Sequence, residues 1–205
     1  MIGAFRPGGL ALTGQLLEGC AFAPGDRVLD LGCGAGATVR HLRERGLEGW
    51  GLDRDRAALA GPGPFLWARA ERLPFAAGSL DGVLMECSLS VMDDPERVLE
   101  QCRRVLRPGG RLGLADLYAR GRPARLGGCL GRVEAREVLL DRLAAHGFPS
   151  ARFEDRSAHL RAWWGQMLLD RGAEACRTLA GGEPGALRAA RAGYCLILAR
   201  REDRP

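Results

Sequence analysis

Apolar positions along the chain follow two alternating patterns. Short runs of consecutive apolar residues predict buried strands of a parallel sheet, and stretches with apolar residues at every third or fourth position predict helices. Their alternation is typical of βαβ units, in which helices cover a mainly parallel sheet. We therefore predict an α/β fold. Its strands are expected near residues 27–31, 48–52, 64–68, 81–86, 111–117, 151–155 and 193–200.

Two helices are marked by their ends as well as by their periodicity. Asp94 is a residue type that commonly caps the start of a helix, and Pro95 follows at the first helical position. Residues 107–110 (Arg-Pro-Gly-Gly) are expected to end this helix. A second helix is predicted over residues 134–146, with Gly147 ending it. The residues expected to face inward are Val98, Leu99, Cys102, Val105 and Leu106 in the first helix and Val138, Leu139 and Leu143 in the second.

Two segments add to a minimal core of sheet and helices. Residues 1–23 precede the first strand and predict a turn and a short helix, which would form an N-terminal cap. Residues 157–192 separate the last two strands and predict two helices, the second ending near Leu179, and then a turn over residues 181–185. The whole chain, residues 1–205, is expected to form a single domain with a substantial core.

Gly32, Gly34 and Gly36 stand at alternate positions after the first predicted strand, and helical character resumes over residues 38–42. We call residues 32–36 the glycine turn. Glycines at such a junction let the backbone turn sharply and let a ligand approach closely. Open α/β sheets bind their ligands at this carboxyl end of the strands. The sequence therefore predicts a small-ligand site at the glycine turn.

The glycine spacing alone does not identify the ligand. Gly32, Gly34 and Ala37 match the dinucleotide fingerprint G-x-G-x-x-G/A, so a nicotinamide-dependent oxidoreductase stays open at this point. Asp30, two residues before the first glycine, and Asp53, at the end of the next apolar strand, are further features that distinguish this chain.

Three more stretches follow in order, at residues 70–75, 79–83 and 105–112. Together with the glycine turn they resemble the class I S-adenosylmethionine-dependent methyltransferases, most closely the small ubiquinone/menaquinone-biosynthesis-like branch. The resemblance covers roughly residues 24–118. It implies a Rossmann-like, doubly wound sheet of seven mostly parallel strands, with an antiparallel last strand and a helical insertion before it. It also implies S-adenosyl-L-methionine as the cofactor and methyl transfer to a small-molecule acceptor by in-line displacement.

The resemblance implies a role for each group around the glycine turn. Backbone N–H groups of the turn would reach the cofactor carboxylate, Asp30 would orient the turn or the ammonium, and Asp53 would accept hydrogen bonds from the ribose hydroxyls. The alternative for Asp53 is a solvated acid at a strand end. Arg54 would lie against the adenine or stay on the surface. The expected cofactor-binding residues are Asp30, Gly32, Cys33, Gly34, Gly36, Asp53, Arg54, Ala70, Glu71 and Glu86.

The third motif departs from the pattern of the resembled family. Arg69 stands where related sequences usually have an aspartate that bonds the adenine amino group. Arginine has no hydrogen-bond acceptor in its side chain, so it cannot take that role. The backbone of Ala70 and the carboxylate of Glu71 would then supply the adenine contacts.

In the resembled family, the loop at residues 86–93 passes beside the sulfonium and forms a wall of the substrate site. Methyl transfer from an activated cofactor depends mainly on alignment, and a general base is needed only if the acceptor must lose a proton. The candidate bases are Glu86, Asp93 and Asp116, with Tyr118 as an orienting hydroxyl. Each of these residues could instead cap a helix or face water, and no metal site is expected.

Other side chains admit a functional and a structural interpretation. Trp163, Trp164, Met167 and Leu168 could form a lid or substrate wall, or simply pack a helix on the domain. Thiols such as that of Cys87 could bind a soft substrate, but small buried hydrophobic residues are the simpler interpretation. A run of arginines without acids could attract an anionic substrate or reflect codon bias; it comprises Arg120, Arg122, Arg125 and Arg132.

Composition narrows the class of protein. All 30 basic residues are arginine, and they alternate with 25 acids over most of the chain, so the net charge of +5 does not indicate nucleic-acid binding. No apolar run approaches membrane-spanning length, and no signal sequence is evident at the N-terminus. Seven cysteines without a C-x-x-C pair suit reduced thiols, so we expect a cytoplasmic protein.

Two alternatives to a methyltransferase remain open on the sequence. One is a noncatalytic S-adenosylmethionine-binding partner or regulatory subunit. Exposed aromatic residues over 157–179 would favour it, and the same residues lining a cavity above the glycine turn would favour the enzyme. The other is the oxidoreductase mentioned above. The sequence leaves the methyl acceptor and the oligomeric state open.

Overall fold

The computed structural model describes residues 6–59, 63–127, 130–179 and 184–202. Within these residues seven strands form one sheet in the spatial order β3-β2-β1-β4-β5-β9-β8, and β6 and β7 form a separate two-stranded ribbon. In the seven-stranded sheet β9 is the strand that runs antiparallel to its neighbours. The strands are β1 (Arg27–Leu31), β2 (Glu48–Asp53), β3 (Phe65–Trp67), β4 (Leu80–Glu86), β5 (Leu106–Tyr118), β6 (Ala124–Arg125), β7 (Arg132–Val133), β8 (Arg152–Asp155) and β9 (Gly193–Arg200).

The seven strands of the main sheet lie where the apolar runs predicted them, and the fold class is confirmed. The chain reverses its direction of travel across the sheet at β1, which has β2 on one side and β4 on the other. Such a topological switch point opens a crevice at the carboxyl ends of the strands. The ends of β2, β1 and β4 therefore form the natural ligand site.

Helices cover both faces of the sheet. They are α1 (Gly9–Cys20), α2 (Ala37–Glu44), α3 (Pro95–Val105), α4 (Arg136–Ala145), α5 (Ser157–Leu179) and α6 (Pro184–Ala190), with a short 3₁₀ turn at Leu89–Val91. Within the described residues, none of these helices has both the length and the hydropathy that a membrane span requires.

Alternate residues of the central strands belong to two different apolar layers, because successive side chains of a strand point to opposite faces. Val28 packs in one layer and Leu29 in the other, and Leu84 and Met85 are divided in the same way. Both faces of the sheet are thus buried, which explains the uninterrupted apolar runs of its strands. The first layer includes Leu29, Leu31, Met85, Val98, Leu99 and Tyr118; the second includes Leu12, Leu16, Val28, Leu84, Leu117 and Tyr194.

The two helices that the sequence marked by their ends are present, with two errors in their residues. Asp94 caps α3, since its carboxylate accepts a hydrogen bond from the backbone N–H of Arg97 at 3.0 Å. Leu106, predicted on the inner face of the first helix, is buried but begins β5, because α3 ends at Val105.

The other error concerns the second helix. In α4, Leu139 and Leu143 pack inward, but Val138 is 45% exposed, so its predicted inward orientation was wrong. Leu139 and Leu143 are four positions apart and share a face, whereas one residue of offset turns Val138 by about 100°.

The insertion before the last strand forms the two predicted helices as α5. They meet at Gly172, whose backbone (φ 77°, ψ 172°) is not helical. Of the turn predicted over residues 181–185, residues 181–183 lie outside the described residues, and Pro184 already begins α6, which the sequence analysis missed. The N-terminal helix α1 extends to Cys20 and is longer than the short helix expected.

Replacing Asp94 with alanine is expected to lower the free energy of unfolding by about 1 kcal/mol, because the Arg97 N–H loses its acceptor at the start of α3. Urea denaturation followed by circular dichroism measures this loss. The matched variant Asp94→Ser keeps an oxygen at the N-cap and is expected to retain most of the stability. Equal losses in the two variants would show that the cap is not the source of the effect.

Candidate functional site

The glycine turn joins β1 to α2 at the switch point of the sheet, and its conformation requires glycine. Gly32 and Gly34 have φ angles of 80° and 49°, in the left-handed region that other residues rarely adopt. A Cβ on Gly32 would lie 2.6 Å from the Cβ of Ser88, which is closer than packing allows. A Cβ on Gly34 would meet nothing within 4 Å, so this side of the turn is open to a ligand.

Asp53 at the end of β2 is hydrogen-bonded to the glycine turn. Its Oδ2 accepts from the backbone N–H of Gly34 at 2.8 Å, and its Oδ1 accepts from the N–H of Asp55 at 2.9 Å. The structure therefore brings together the two features on which the predicted nucleoside site depends. Each carboxylate oxygen keeps a further lone pair for a donor from a ligand.

A small cavity of about 120 Å³ lies beside this hydrogen bond, at the carboxyl ends of β1, β2 and β4. It brings together five of the predicted cofactor residues with the loop that follows β4. Its lining consists of Gly32, Leu52, Asp53, Arg54, Ala70, Glu71, Cys87, Ser88, Val91 and Met92.

Ser88 and Met92 are lining residues that sequence reasoning did not single out. The Ser88 hydroxyl donates to the backbone oxygen of Leu31 at 2.7 Å and so attaches the loop after β4 to the end of β1. The resemblance placed this loop beside the cofactor, but the identity of the contacting side chains depends on the turn at Cys87, which has a left-handed φ of 55°.

Four backbone N–H groups of the glycine turn have partners inside the chain. Gly32 and Cys33 both donate to the Leu52 oxygen, at 2.8 and 3.1 Å, Gly36 donates to the Cys33 oxygen at 2.9 Å, and Gly34 donates to Asp53. The expectation that N–H groups of this turn receive the cofactor carboxylate stays a prediction. The first turn of α2 offers further N–H groups that lack intrahelical partners and suit an anionic group.

Glu86 is enclosed in a hydrogen-bonded network at the end of β4. Arg6 binds its carboxylate through Nε at 3.0 Å and Nη2 at 2.9 Å, and the hydroxyls of Thr13 and Thr38 donate to it at 2.9 and 2.8 Å. Nη2 of Arg6 also donates to both threonine oxygens, at 2.6 and 2.7 Å. The side chains of Arg6 and Glu86 are only 13% and 3% exposed, so the pair is largely buried. The network fastens the N-terminal segment and α2 to β4.

Asp30 is buried on β1, between Glu86 on β4 and Asp53 on β2. It is 3% exposed, and burial raises the pKa of its carboxyl to about 8. The negative charges of Glu86 and Asp53 raise this pKa further, and the Arg6 guanidinium opposes them. A neutral or half-neutral carboxyl at this position becomes a favourable partner for any cation placed beside it.

Asp93 lies at the rim of the cavity and joins two arginines. Arg54 and Arg69 reach its Oδ2 at 3.0 and 2.8 Å, and Arg69 also pairs with Glu71 at 3.4 Å. The hydrogen bond from Arg69, together with the charge of Arg54, lowers the pKa of the Asp93 carboxyl. A carboxylate held in this way is a weak base, so the geometry does not favour the proposed catalytic role of Asp93.

Asp116 and Tyr118 are separated from the cofactor cavity. Asp116 accepts from the backbone N–H groups of Ser90 and Leu117, at 2.9 and 2.8 Å, and burial raises its pKa. Tyr118 packs edge-on against Phe153, with ring centroids 5.0 Å apart, in the apolar layer that contains α3. Both side chains have the structural surroundings of core residues, and their catalytic roles stay predictions.

The cysteines described here are free thiols. Burial raises the pKa of Cys20, Cys33 and Cys102 to about 12, and it also raises the pKa of Cys87 and Cys195. Because soft ligands bind the thiolate, these values oppose a thiol-based substrate site and support small buried hydrophobic residues. Cys129 lies outside the described residues.

The chain is similar to known methyltransferases. A family model described as a methyltransferase domain matches residues 29–114. The 27-O-demethylrifamycin SV methyltransferase of Amycolatopsis mediterranei is 35% identical in an alignment of 176 residues that covers 75% of this chain and 65% of that protein. O-methyltransferase rstn1 of Aspergillus nomiae is 38% identical in an alignment of 120 residues that covers 52% of this chain and 53% of that protein. The chain spans about half the length of the curated relatives it matches.

Solved structures share the architecture over nearly the whole chain. The [4+2]-cyclase SpnF matches with a TM-score of 0.78 and 26% identity, over 94% of this chain and 81% of that chain. Geranyl diphosphate C-methyltransferase from Streptomyces coelicolor A3(2), solved with S-adenosyl-L-homocysteine, has a TM-score of 0.77 at 17% identity, covering 94% of this chain and 80% of its own. The narrower likeness to the ubiquinone/menaquinone-biosynthesis-like branch stays a prediction. The ordered motifs, the site at the switch point and these matches show that the chain belongs to the class I S-adenosylmethionine-dependent methyltransferases.

Proposed function

We propose that the protein transfers the methyl group of S-adenosylmethionine to a small-molecule acceptor. The observation that carries this proposal is the 2.8 Å hydrogen bond from the Gly34 amide to Asp53, beside a cavity at the switch point of the sheet. It holds an acid suited to a ribose diol against a turn that a ligand can approach closely. When bound, the cofactor supplies a methyl group that its sulfonium has already activated.

We assign the ribose, the adenine and the ammonium of the cofactor to separate residues. Asp53 would accept the ribose hydroxyls, and Ala70 and Glu71, which line the same cavity, would contact the adenine. Asp30 would receive the ammonium, since its buried carboxyl gains most from a neighbouring cation. These assignments rest on position and charge, and titrations of single variants test each of them.

Arg6 and Glu86 would act on the site through position. Their ion pair joins the start of the chain to the end of β4, next to Asp30. An N-terminal segment held there would cover the ligand, exclude water and fix the orientation of reacting groups.

Alignment, rather than general-base catalysis, is the contribution we infer for the protein. Among the four catalytic candidates, Glu86 is enclosed by donors, Asp93 is paired with arginines, and Asp116 and Tyr118 pack away from the cavity. Holding two reactants in a productive geometry can supply much of a rate enhancement by itself. An acceptor that is already nucleophilic, or that ionises readily, would suit this site.

The second candidate is a function without methyl transfer. The observation in its favour is that SpnF, which shares the fold at 26% identity, is a [4+2]-cyclase. A binding subunit would favour exposed aromatic residues over 157–179, whereas Trp163 and Trp164 are both half-buried. Trp164 lines a cavity whose described lining includes no residue of the glycine turn. The burial of these two rings supports an enzyme over a binding subunit.

The direct experiment uses the whole chain, methyl-labelled S-adenosylmethionine and a panel of small acceptors. Formation of labelled product together with S-adenosylhomocysteine is expected. Calorimetric titration with S-adenosylhomocysteine and with NAD, run in parallel, separates the cofactor classes. Saturable binding of NAD alone would overturn the proposal.

We also propose that the protein acts in the cytoplasm. The free thiols of its described cysteines support a reducing compartment.

Asp53→Ala is expected to weaken S-adenosylhomocysteine binding by about 10- to 100-fold, since hydrogen bonds to a charged group contribute roughly 1.5–3 kcal/mol. Calorimetric titration measures the change, and circular dichroism checks the fold. Asp141→Ala removes the same charge from an exposed position on α4 and is expected to leave the affinity unchanged. An unchanged titration for Asp53→Ala would show that the ribose site is misplaced.

Asp30→Asn is expected to change the pH dependence of stability. Burial raises the pKa of the Asp30 carboxyl in the folded state from its ordinary value of 3.8 to about 8. The folded state therefore binds this proton more tightly than the unfolded state, and stability falls as pH rises from about 4 to about 8. The variant should therefore exceed the wild type at pH 8.5 by on the order of a few kcal/mol, and show no such gain at pH 4. Urea unfolding at several pH values measures the difference; parallel curves would contradict it.

The same residue gives a signature of cofactor binding. An ammonium beside Asp30 would lower its pKa, so S-adenosylhomocysteine binding at pH 7 is expected to release part of a proton from the wild type. Calorimetry in two buffers with different ionisation enthalpies measures this release. Asp30→Asn should show none; equal release in both proteins would place the ammonium elsewhere.

Arg6→Met is expected to lower the free energy of unfolding by about 3–5 kcal/mol, because it leaves the buried Glu86 carboxylate without its cation. The double variant Arg6→Met/Glu86→Gln removes the uncompensated charge and should recover part of the loss. Urea denaturation of the two single variants and the double variant completes the cycle. Additive losses would show that the pair is not coupled.

A further inference from the structure

A second, larger cavity of about 620 Å³ lies between the end of β5 and helices α5 and α6. This volume lies within the range that small-molecule sites usually have. Its walls are largely apolar and are formed by Leu117, Leu130, Leu160, Trp164 and Leu187. Leu117 and Leu130 are buried, and the three others pack against the same apolar layer, so the floor is part of the folded core.

The rim of this cavity carries one sign of charge. Five arginines line it, and none of the described lining residues is acidic. All five side chains are exposed at the surface. They are Arg120, Arg161, Arg177, Arg188 and Arg191.

Arginine richness alone does not explain the rim. Over the chain, 30 basic residues face 25 acids, and many exposed arginines are in ion pairs, such as Arg97 with Glu100 at 2.7 Å and Arg107 with Asp81 at 2.6 Å. None of the described lining residues is acidic, although the charge of Arg120 also acts on the Asp155 carboxylate outside the lining and helps to lower its pKa. Of the arginine run noted in the sequence, Arg120 alone lines this cavity.

Residues near the ends of β4 and β5 connect this cavity with the cofactor site. Cys87, which lines the cofactor cavity, donates its backbone N–H to the Ala115 oxygen at 2.7 Å, and Leu117, which lines the larger cavity, follows two residues later. The Cys87 thiol is also 3.0 Å from the Tyr194 hydroxyl. Tyr194 belongs to the apolar layer against which Trp164 packs. One backbone hydrogen bond and two residues of β5 therefore link the two linings.

We propose that the methyl acceptor binds in this second cavity and is an apolar molecule that carries a carboxylate or phosphate group. The apolar walls would take its body, and the guanidinium groups would hold its anionic end, since arginine binds both anions through paired N–H donors. The reacting atom would then point toward Cys87 and the cofactor site. This inference rests on the proposed function and extends it to the class of acceptor.

The test measures how tightly the whole protein binds three simple probes of equal chain length. Octyl phosphate, octanoate and 1-octanol are titrated calorimetrically, below any micelle formation, into protein saturated with S-adenosylhomocysteine. At least one anionic probe is expected to bind ten or more times as tightly as octanol. The preferred anion distinguishes phosphate from carboxylate recognition, and equal binding of all three probes would overturn the proposal.

Charge removal at the rim supplies the second measurement. Arg161→Gln/Arg188→Gln is expected to weaken the anionic probe at least tenfold and to leave octanol and S-adenosylhomocysteine unaffected. Arg43→Gln/Arg97→Gln removes the same charge from exposed positions on α2 and α3 and should change nothing. An unchanged affinity in the rim variant would overturn the proposal. If the wild type did not bind S-adenosylhomocysteine, the proposed function itself would be refuted.

Discussion

The carboxylate of Glu86 lies at the end of β4 with almost no access to water, and the Arg6 guanidinium compensates its charge there. Asp30 lies one residue before the end of β1, which neighbours β4, and Asp53 ends β2 on the other side of β1, so three acids lie at one edge of the sheet. Buried like charges are costly unless a cation or a proton offsets them. Arg6 offsets one charge, and the raised pKa of Asp30 removes much of another. Arg6 therefore makes the N-terminal segment an electrostatic part of the site.

This arrangement explains how one end of a common sheet is adapted to a cationic nucleoside. Asp53 is oriented by two backbone N–H groups, from Gly34 and Asp55, before any ligand arrives. Preorientation of this kind reduces the entropy lost on binding. Asp30 contributes the opposite property, since burial destabilises its ionised form until a positive charge lies beside it. In the proposed site, Asp53 would be a rigid acceptor for the sugar, and the ligand would control the charge state of Asp30.

Local patterns in the sequence predicted those features that local physics determines. Apolar runs located the strands of the main sheet, and Asp94 with Pro95 located the start of α3. Asp53 and the glycine turn were both assigned to one cofactor site, and the structure brings them together, because the carboxyl ends of adjacent parallel strands meet at one edge of the sheet. Sequence reasoning missed the partners of Glu86, since Arg6 is 80 residues away from it and no spacing rule connects the two. It also misjudged Val138, because helical periodicity shows which residues share a face but does not show which face packs against neighbouring elements.

The break in α5 at Gly172 divides the residues that the insertion contributes to the larger cavity. Arg161 and Trp164 come from the part before the glycine, and Cys176 and Arg177 from the part after it. A φ of 77° with ψ near 172° is accessible almost only to glycine, so one backbone position sets the angle between the two halves. During divergence of such proteins, a single replacement there could resize the chamber without altering any wall residue. Acceptor range would then evolve through the hinge, while the nucleoside end of the molecule stayed constant.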